Sequence, residues 1–85
     1  MNTGMVEIKV DDFTQVNTSE TDYIVQNSLS EKICFVIADA KPDPKMVGVI
    51  LKPFFSISGA DFNGKCWVRM LTGIAGETAK IPVIE

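Results

Sequence analysis

The stretch that decides the fold is Glu31-Lys32-Ile33-Cys34-Phe35-Val36-Ile37-Ala38, in which two charged residues precede an unbroken apolar run. Alternate side chains of an extended chain lie on opposite faces, so Ile33, Phe35 and Ile37 share one face. The other face is apolar as well, and the run is rich in β-branched and aromatic residues. The pattern therefore predicts a central strand that is covered on both sides.

The segments on either side of this run predict its nearest neighbours. Residues 22–27 have strand character, and residues 27–30 supply turn-forming side chains, so the two strands are predicted to form a hairpin with a four-residue connection. Residues 39–44 contain two prolines, which fix φ and lack an amide donor. This second segment is predicted to be an exposed loop.

The C-terminal half continues the alternation of short apolar runs and turn residues. Strands are predicted over residues 47–51, 54–58, 65–71 and 78–84. Asn63-Gly64 marks a turn that needs positive φ. The fold class predicted from these runs is all-β, a small antiparallel β-sandwich or barrel of about six to seven short strands. The sequence leaves the choice between sandwich and barrel open.

The first 20 residues differ from the rest of the chain. A short strand is predicted near residues 6–10, whereas residues 14–21 are polar and have few apolar anchors. Residues 1–20 are therefore predicted to form an N-terminal arm that is loosely tied to a single β domain of residues 21–85. Such an arm is expected to reach a neighbouring subunit and to become ordered on binding.

Composition limits the classes of function. A chain of 85 residues with 46% hydrophobic residues is one small domain, and oligomerisation is a usual support for domains of this size. The net charge is −3 and the eight Lys and Arg residues are scattered, which disfavours nucleic-acid binding. The sequence shows no export signal and no membrane-spanning stretch, so we expect a protein made in a cytoplasm that stays soluble.

The sequence contains no recognisable catalytic or metal-binding motif. The chain has no histidine, which removes the commonest general base and metal ligand, and it has no glycine-rich phosphate loop. Cys34 and Cys66 lie in apolar runs and are predicted to be buried reduced thiols; the alternative is a disulfide between them, which needs Cα atoms within about 7 Å and which the sequence leaves open. The sequence predicts a protein that is not an enzyme and that has no catalytic residues, cofactor or metal.

Several apolar and aromatic side chains are candidates for an interface with another protein. Trp67 is predicted to lie on a solvent-facing strand with Arg69, where it either anchors an interface, stacks on a sugar, or caps the core beneath the arginine. Phe54 and Phe55 are adjacent, so in a strand one of them faces away from the core. The predicted interface residues are Val6, Ile8, Val10, Phe13, Phe54, Phe55, Trp67 and Arg69.

Five features between residues 24 and 85 carry a resemblance to a known kind of protein. They are Val25-Gln26-Asn27, a proline-containing loop, Gly48-Val49-Ile50-Leu51-Lys52-Pro53, Gly64-Lys65-Cys66-Trp67-Val68-Arg69 and Ile81-Pro82-Val83-Ile84-Glu85. With these spacings the chain resembles the small β-sandwich proteins of tailed-phage virions, which decorate or cement the capsid or join other virion parts.

The resemblance implies a virion structural protein made in the cytoplasm of a bacterial host. It implies a capsid decoration or cement protein that binds the major capsid protein or another virion protein, and that forms a small homo-oligomer such as a trimer. The alternative function is a carbohydrate- or ligand-binding β module of a tail fibre or adhesin assembly, in which Trp67 lies in an exposed groove.

Overall fold

A computed structural model describes residues 3–85 of the chain. Within that range there is no helix, and therefore none long and apolar enough to span a membrane. Eight strands are present: β1 Thr3–Lys9, β2 Thr14–Gln15, β3 Ile24–Gln26, β4 Ile33–Ile37, β5 Val49–Leu51, β6 Ser56–Ser58, β7 Cys66–Met70 and β8 Thr78–Ile84. The predicted all-β class is confirmed.

The strands form two antiparallel four-stranded sheets, and the fold is a small sandwich. The first sheet has the strand order β1-β8-β3-β6 and the second has the order β2-β7-β4-β5. Strands β1, β6, β2 and β5 are therefore the four edges. Residues 52–55 join β5, an edge strand of the second sheet, to β6, an edge strand of the first sheet.

The core lies between the sheets and is made by alternate residues of each strand. In β7 the side chains of Cys66, Val68 and Met70 are buried, whereas Trp67 and Arg69 are half-buried on the other face. The central strand β4 pairs with β7 on one side and β5 on the other, which confirms its predicted position. Burial of these alternating apolar side chains is the main stabilising term of the fold.

The predicted hairpin between residues 22–27 and 31–38 is wrong. Strand β3 pairs with β6 and β8 in the first sheet, whereas β4 belongs to the second sheet. The connection therefore passes from the first sheet to the second instead of joining two neighbouring strands of one sheet. Turn residues mark where a strand ends but do not determine which sheet the next strand joins.

The N-terminal segment is part of the sandwich, which corrects the prediction of a loosely tied arm. Strand β1 pairs with β8 in an unbroken register from Thr3↔Ile84 to Lys9↔Thr78, and Ile8 is fully buried in the core. Removing β1 would expose one whole side of β8. A chain that lacks β1 is therefore expected to have a lower free energy of unfolding.

The polar stretch of residues 14–21 is fixed by side-chain hydrogen bonds instead of apolar contacts. Buried Asn17 accepts from the amide of Cys66 at 2.8 Å and donates to the carbonyl of Gly64 at 2.8 Å. The carboxylate of Glu85 accepts from the amides of Thr18 and Ser19 and from the Thr18 hydroxyl. Partial burial acts to raise the pKa of Glu85, but these three hydrogen bonds outweigh it and lower the pKa.

Candidate interaction surface

One continuous segment carries most of the exposed apolar surface of the described chain. We call residues 46–55 the 46–55 edge, because they contain the edge strand β5 and the turn that leads to β6. Six large apolar side chains of this segment are exposed: Met46, Val47, Val49, Ile50, Phe54 and Phe55. Val49 and Ile50 face opposite sides of the sheet, so this apolar surface extends around both faces of the edge strand. Clustered exposed apolar side chains mark interaction sites on small proteins more often than isolated ones do.

The backbone of β5 offers an open hydrogen-bonding edge. The amide of Ala38 donates to the carbonyl of Lys65, so the even-numbered residues of β4 bond to β7 and the odd-numbered ones face β5. Val49 and Leu51 pair with Phe35 and Ile33, and the N–H and C=O of Ile50 between them point away from the sheet.

Edge strands are usually protected against pairing with other chains by charged residues, proline or very short length. Strand β1 carries Glu7 and Lys9, and β2 has only two residues. Strand β6 presents two serines. Strand β5 is also short, with three residues, but residues 46–51 contain neither a charge nor a proline, so β5 lacks those two kinds of protection.

The turn after β5 holds two exposed aromatic side chains in an unusual backbone conformation. The amide of Phe55 donates to the carbonyl of Lys52 at 3.2 Å, which closes a four-residue turn with Pro53 in its second position. Phe54, in the third position, has a φ of 66°, and among residues 3–85 no other non-glycine residue has positive φ. Proline followed by a positive φ is the pattern of a type II turn, whose third position favours glycine.

Asn27 anchors this turn from the end of β3. Its backbone amide donates to the carbonyl of Phe55 at 2.9 Å, and its carbonyl accepts from the amide of Phe54 at 2.6 Å. Its buried side chain donates to the carbonyls of Glu31 and Leu51 and accepts from the amide of Leu29. Asn27 therefore joins the first sheet to β5 and fixes the position of Phe54 and Phe55.

A shallow apolar groove lies at the other end of β5. It has a volume of about 490 Å³ and is lined by Phe35, Val36, Ile37 and Phe62 together with residues 46–49. The rings of Phe35 and Phe62 meet edge to face with their centroids 5.1 Å apart. The groove opens where β4 continues past the start of β5, because Ile37 has no partner residue in β5.

Arg69 organises the outer face of the second sheet beside this groove. Its guanidinium lies over the ring of Phe13, 5.3 Å from the ring centroid, and donates to the carbonyls of Val10 and Met46. The bond to Met46 holds the start of the 46–55 edge against the sheet. The predicted cation–π contact of Arg69 therefore exists, but its aromatic partner is Phe13 and not Trp67.

The eight residues predicted from sequence as interface candidates differ in how far they are buried. Ile8 and Phe13 are buried within the chain itself, and Val6 and Val10 pack partly against the core. Trp67 is half-buried, and its indole N–H donates to the carbonyl of Ala38 at 2.9 Å. Only the Phe54 and Phe55 pair is largely exposed, at 66% and 60%.

Four members of the 46–55 edge were missed as surface residues: Met46, Val47, Val49 and Ile50. The sequence predicts a strand at residues 47–51 but does not show that this strand lies at an edge. The available signal was the absence of any charge or proline between residues 46 and 51, in a strand next to an exposed loop.

Two buried cysteines and one ion pair stand out among the other chemical groups of the described chain. Cys34 and Cys66 are free and buried, and burial raises the pKa of the Cys66 thiol to about 12 despite a hydrogen bond to Tyr23. Within residues 3–85 no group of three or more Cys, Asp or Glu side chains is arranged to hold a metal ion. Asp12 pairs with Lys41 at 2.6 Å, and this hydrogen bond lowers the pKa of the carboxyl.

Comparison of the chain with protein-family models, with curated proteins and with solved structures found no match. The interpretation of the 46–55 edge therefore depends on its own geometry and chemistry.

Proposed function

We propose that this protein is not an enzyme but a structural protein that works by assembling with other proteins through the 46–55 edge. The observation that carries the proposal is the exposed Phe54 side chain at a φ of 66°. A bulky residue in this region costs about 1–2 kcal/mol relative to glycine, because its Cβ approaches the backbone. Burial in the core does not offset this cost, since both phenylalanines are largely exposed.

Backbone strain of this kind is concentrated at binding sites and active sites. The turn presents Phe54 and Phe55 side by side at the end of an unprotected edge strand, and aromatic anchors dominate the binding energy of many interfaces. A contact with another protein would bury both rings and offset the strain. This accounts for aromatic side chains in a turn that glycine would form more easily.

For the biological setting we propose a virion, with the protein decorating or cementing the capsid of a tailed phage in a bacterial host. The support is the resemblance of residues 24–85 to small virion β-sandwich proteins, together with a surface suited to assembly. The proposed partner is the lattice of the major capsid protein.

The substitution Phe54→Gly separates this function from folding. Glycine adopts positive φ freely, so the free energy of unfolding is expected to rise by about 1 kcal/mol. Binding to undecorated capsids of the phage that encodes the chain is expected to be lost, because the aromatic anchor is missing. Thermal unfolding and co-sedimentation with capsids measure the two effects.

The matched control for this test is Ile74→Gly, which removes another exposed apolar side chain, 77% exposed, from the turn between β7 and β8. The control variant is expected to bind capsids like the wild type. Normal capsid occupancy by Phe54→Gly would contradict the proposed role of the turn.

The carbohydrate-binding alternative rests on Trp67 and has less support. Its ring is half-buried, and its only polar atom already donates to the carbonyl of Ala38. A sugar platform needs an exposed ring face with free polar partners nearby. A glycan screen tests this alternative, since binding that disappears in Trp67→Ala would favour it over assembly.

A further inference from the structure

We propose that a second copy of this chain covers the 46–55 edge, and that two copies pair through β5 about a two-fold axis. The inference rests on the proposed function: the free protein pairs with a second copy, and the capsid competes with that copy for the 46–55 edge. In the dimer the two second sheets would join into one continuous sheet of eight strands. A two-fold contact of this kind uses the same surface on both subunits, so it closes and does not continue into a fibre.

The backbone of β5 sets the register of this pairing. Two copies of one edge strand related by a two-fold axis run antiparallel, and Ile50 is the residue of β5 whose N–H and C=O point outward. An axis that passes beside Ile50 places the two Ile50 residues opposite each other, where they exchange both hydrogen bonds. Gly48 of each copy then lies opposite Lys52 of the other.

The register also places the aromatic turn of one copy close to the apolar groove of the other. The turn with Phe54 and Phe55 follows β5, and the apolar groove lined by residues 46–49 precedes it. In an antiparallel pair the end of one strand lies beside the beginning of the other. Each aromatic turn therefore lies beside the groove of the second copy, whose volume of about 490 Å³ is of the size that small ligands occupy.

The exposed apolar area supplies more than half of what a stable dimer buries. A large aromatic side chain offers about 200 Å², so Phe54 and Phe55 at 66% and 60% exposure supply roughly 250 Å² per copy. Met46, Val47, Val49 and Ile50 add a similar area, which gives roughly 500 Å² of the approximately 800 Å² per partner in a standard interface. Polar atoms of the rim and of the paired backbones supply the remainder.

Charge does not oppose the pairing. Lys52 is the only ionisable residue in the 46–55 edge, and in this register it lies opposite Gly48 and not opposite its own copy. A charge placed at Ile50 would, in contrast, face itself across the axis. Like charges directly opposite in an antiparallel pair are destabilising, and Lys is a common protecting residue of edge strands.

Sedimentation velocity of the full chain at increasing concentration tests the dimer. The wild type is expected to reach a mass of twice 9.3 kDa, and Ile50→Lys is expected to remain a monomer of 9.3 kDa. The matched control is Ile74→Lys, which makes the same substitution on an exposed isoleucine outside the edge and should dimerise like the wild type. Circular dichroism and thermal unfolding should show that both variants keep the native fold.

A second variant keeps the inference testable if Ile50→Lys is poorly folded. Cys34 and Cys66 are fully buried, so a cysteine introduced by Ile50→Cys would be the one accessible thiol among the described residues. Opposed residues of an antiparallel pair have Cα atoms about 5.5 Å apart, within disulfide range. Mild oxidation is expected to yield a covalent dimer from Ile50→Cys and not from Ile74→Cys.

Three results would overturn the inference: a wild-type monomer at high concentration, a trimer, or a dimer that Ile50→Lys does not dissociate. None of these results decides capsid binding, which is measured separately. If the protein is a monomer that still binds capsids through Phe54, the dimer is refuted and the proposed function is supported. If the protein is a dimer that binds no capsid, the dimer is supported and the proposed function is refuted.

Discussion

Replacing Gly48 with alanine is expected to lower the free energy of unfolding by about 3 kcal/mol, a large fraction of the stability of so small a domain. A Cβ at Gly48 would lie 2.2 Å from the carbonyl oxygen of Phe35 and 2.7 Å from a methyl group of Val36. The nearest of these atoms belongs to the backbone of the central strand, which cannot move aside without disturbing its pairing with β7. The segment that precedes β5 must shift instead.

The shift would also change the 46–55 edge, because Gly48 lies inside it. Chemical denaturation measures the loss of stability, and the oligomer and capsid assays described above should show weaker association. The control is Gly4→Ala in β1, where an added Cβ meets nothing within 4 Å and φ is not positive. Equal stability of the Gly48 and Gly4 variants would contradict the close approach of residue 48 to β4.

The second large effect is expected from Asn27→Ala, which should also cost about 3 kcal/mol of unfolding free energy. The substitution leaves the carbonyls of Glu31 and Leu51 and the amide of Leu29 without their side-chain partner in a buried site. An unsatisfied buried polar group costs about 1–3 kcal/mol, and partial access of water reduces the sum for three groups.

Asn27→Ala also loosens the connection between β3 and the aromatic turn. Amide hydrogen exchange at Phe54 and Phe55 should therefore accelerate by more than the loss of global stability explains. The control is Asn63→Ala, at an exposed asparagine of the turn before β7. Unfolding of the Asn27 and Asn63 variants at the same denaturant concentration would show that the buried hydrogen bonds of Asn27 do not stabilise the fold as predicted.

The parts of the fold that follow from side-chain alternation could be predicted from the sequence. Strands β4, β7 and β8 lie where their patterns indicate, and the faces of β7 are those that the alternation of Cys66, Val68 and Met70 implies. The Asn63-Gly64 turn has the expected positive φ at Gly64. These features depend on neighbouring residues along the chain, which is why local patterns capture them.

The features that depend on pairing between distant segments could not be predicted in this way. The assignment of β3 and β4 to different sheets reflects a choice among partners, and turn residues do not encode it. The attachment of β1 was missed because residues 14–21 are polar. Their anchors are the hydrogen bonds of Asn17 and Glu85 to distant residues, and an apolar pattern does not reveal these.

The candidate surface was predicted in part. Phe54 and Phe55 were singled out because adjacent apolar residues in a strand cannot both face one core, but they lie in a turn that exposes both. Val49 and Ile50 were expected in a strand, and their exposure follows from the edge position of β5, which only the three-dimensional pairing determines. The positive φ of Phe54 contradicts its local preference and has no signal in the sequence beyond the preceding proline.

The central claim is that the 46–55 edge is the surface through which this protein assembles. Amide hydrogen exchange of the chain, measured free in dilute solution and again when assembled, tests this claim most directly. The outward amide of Ile50 and the amides of the turn at Phe54 and Phe55 are predicted to become protected on assembly, with no change at the turn that contains Ile74. Unchanged exchange in residues 46–55, with new protection along β1 or another edge, would contradict it.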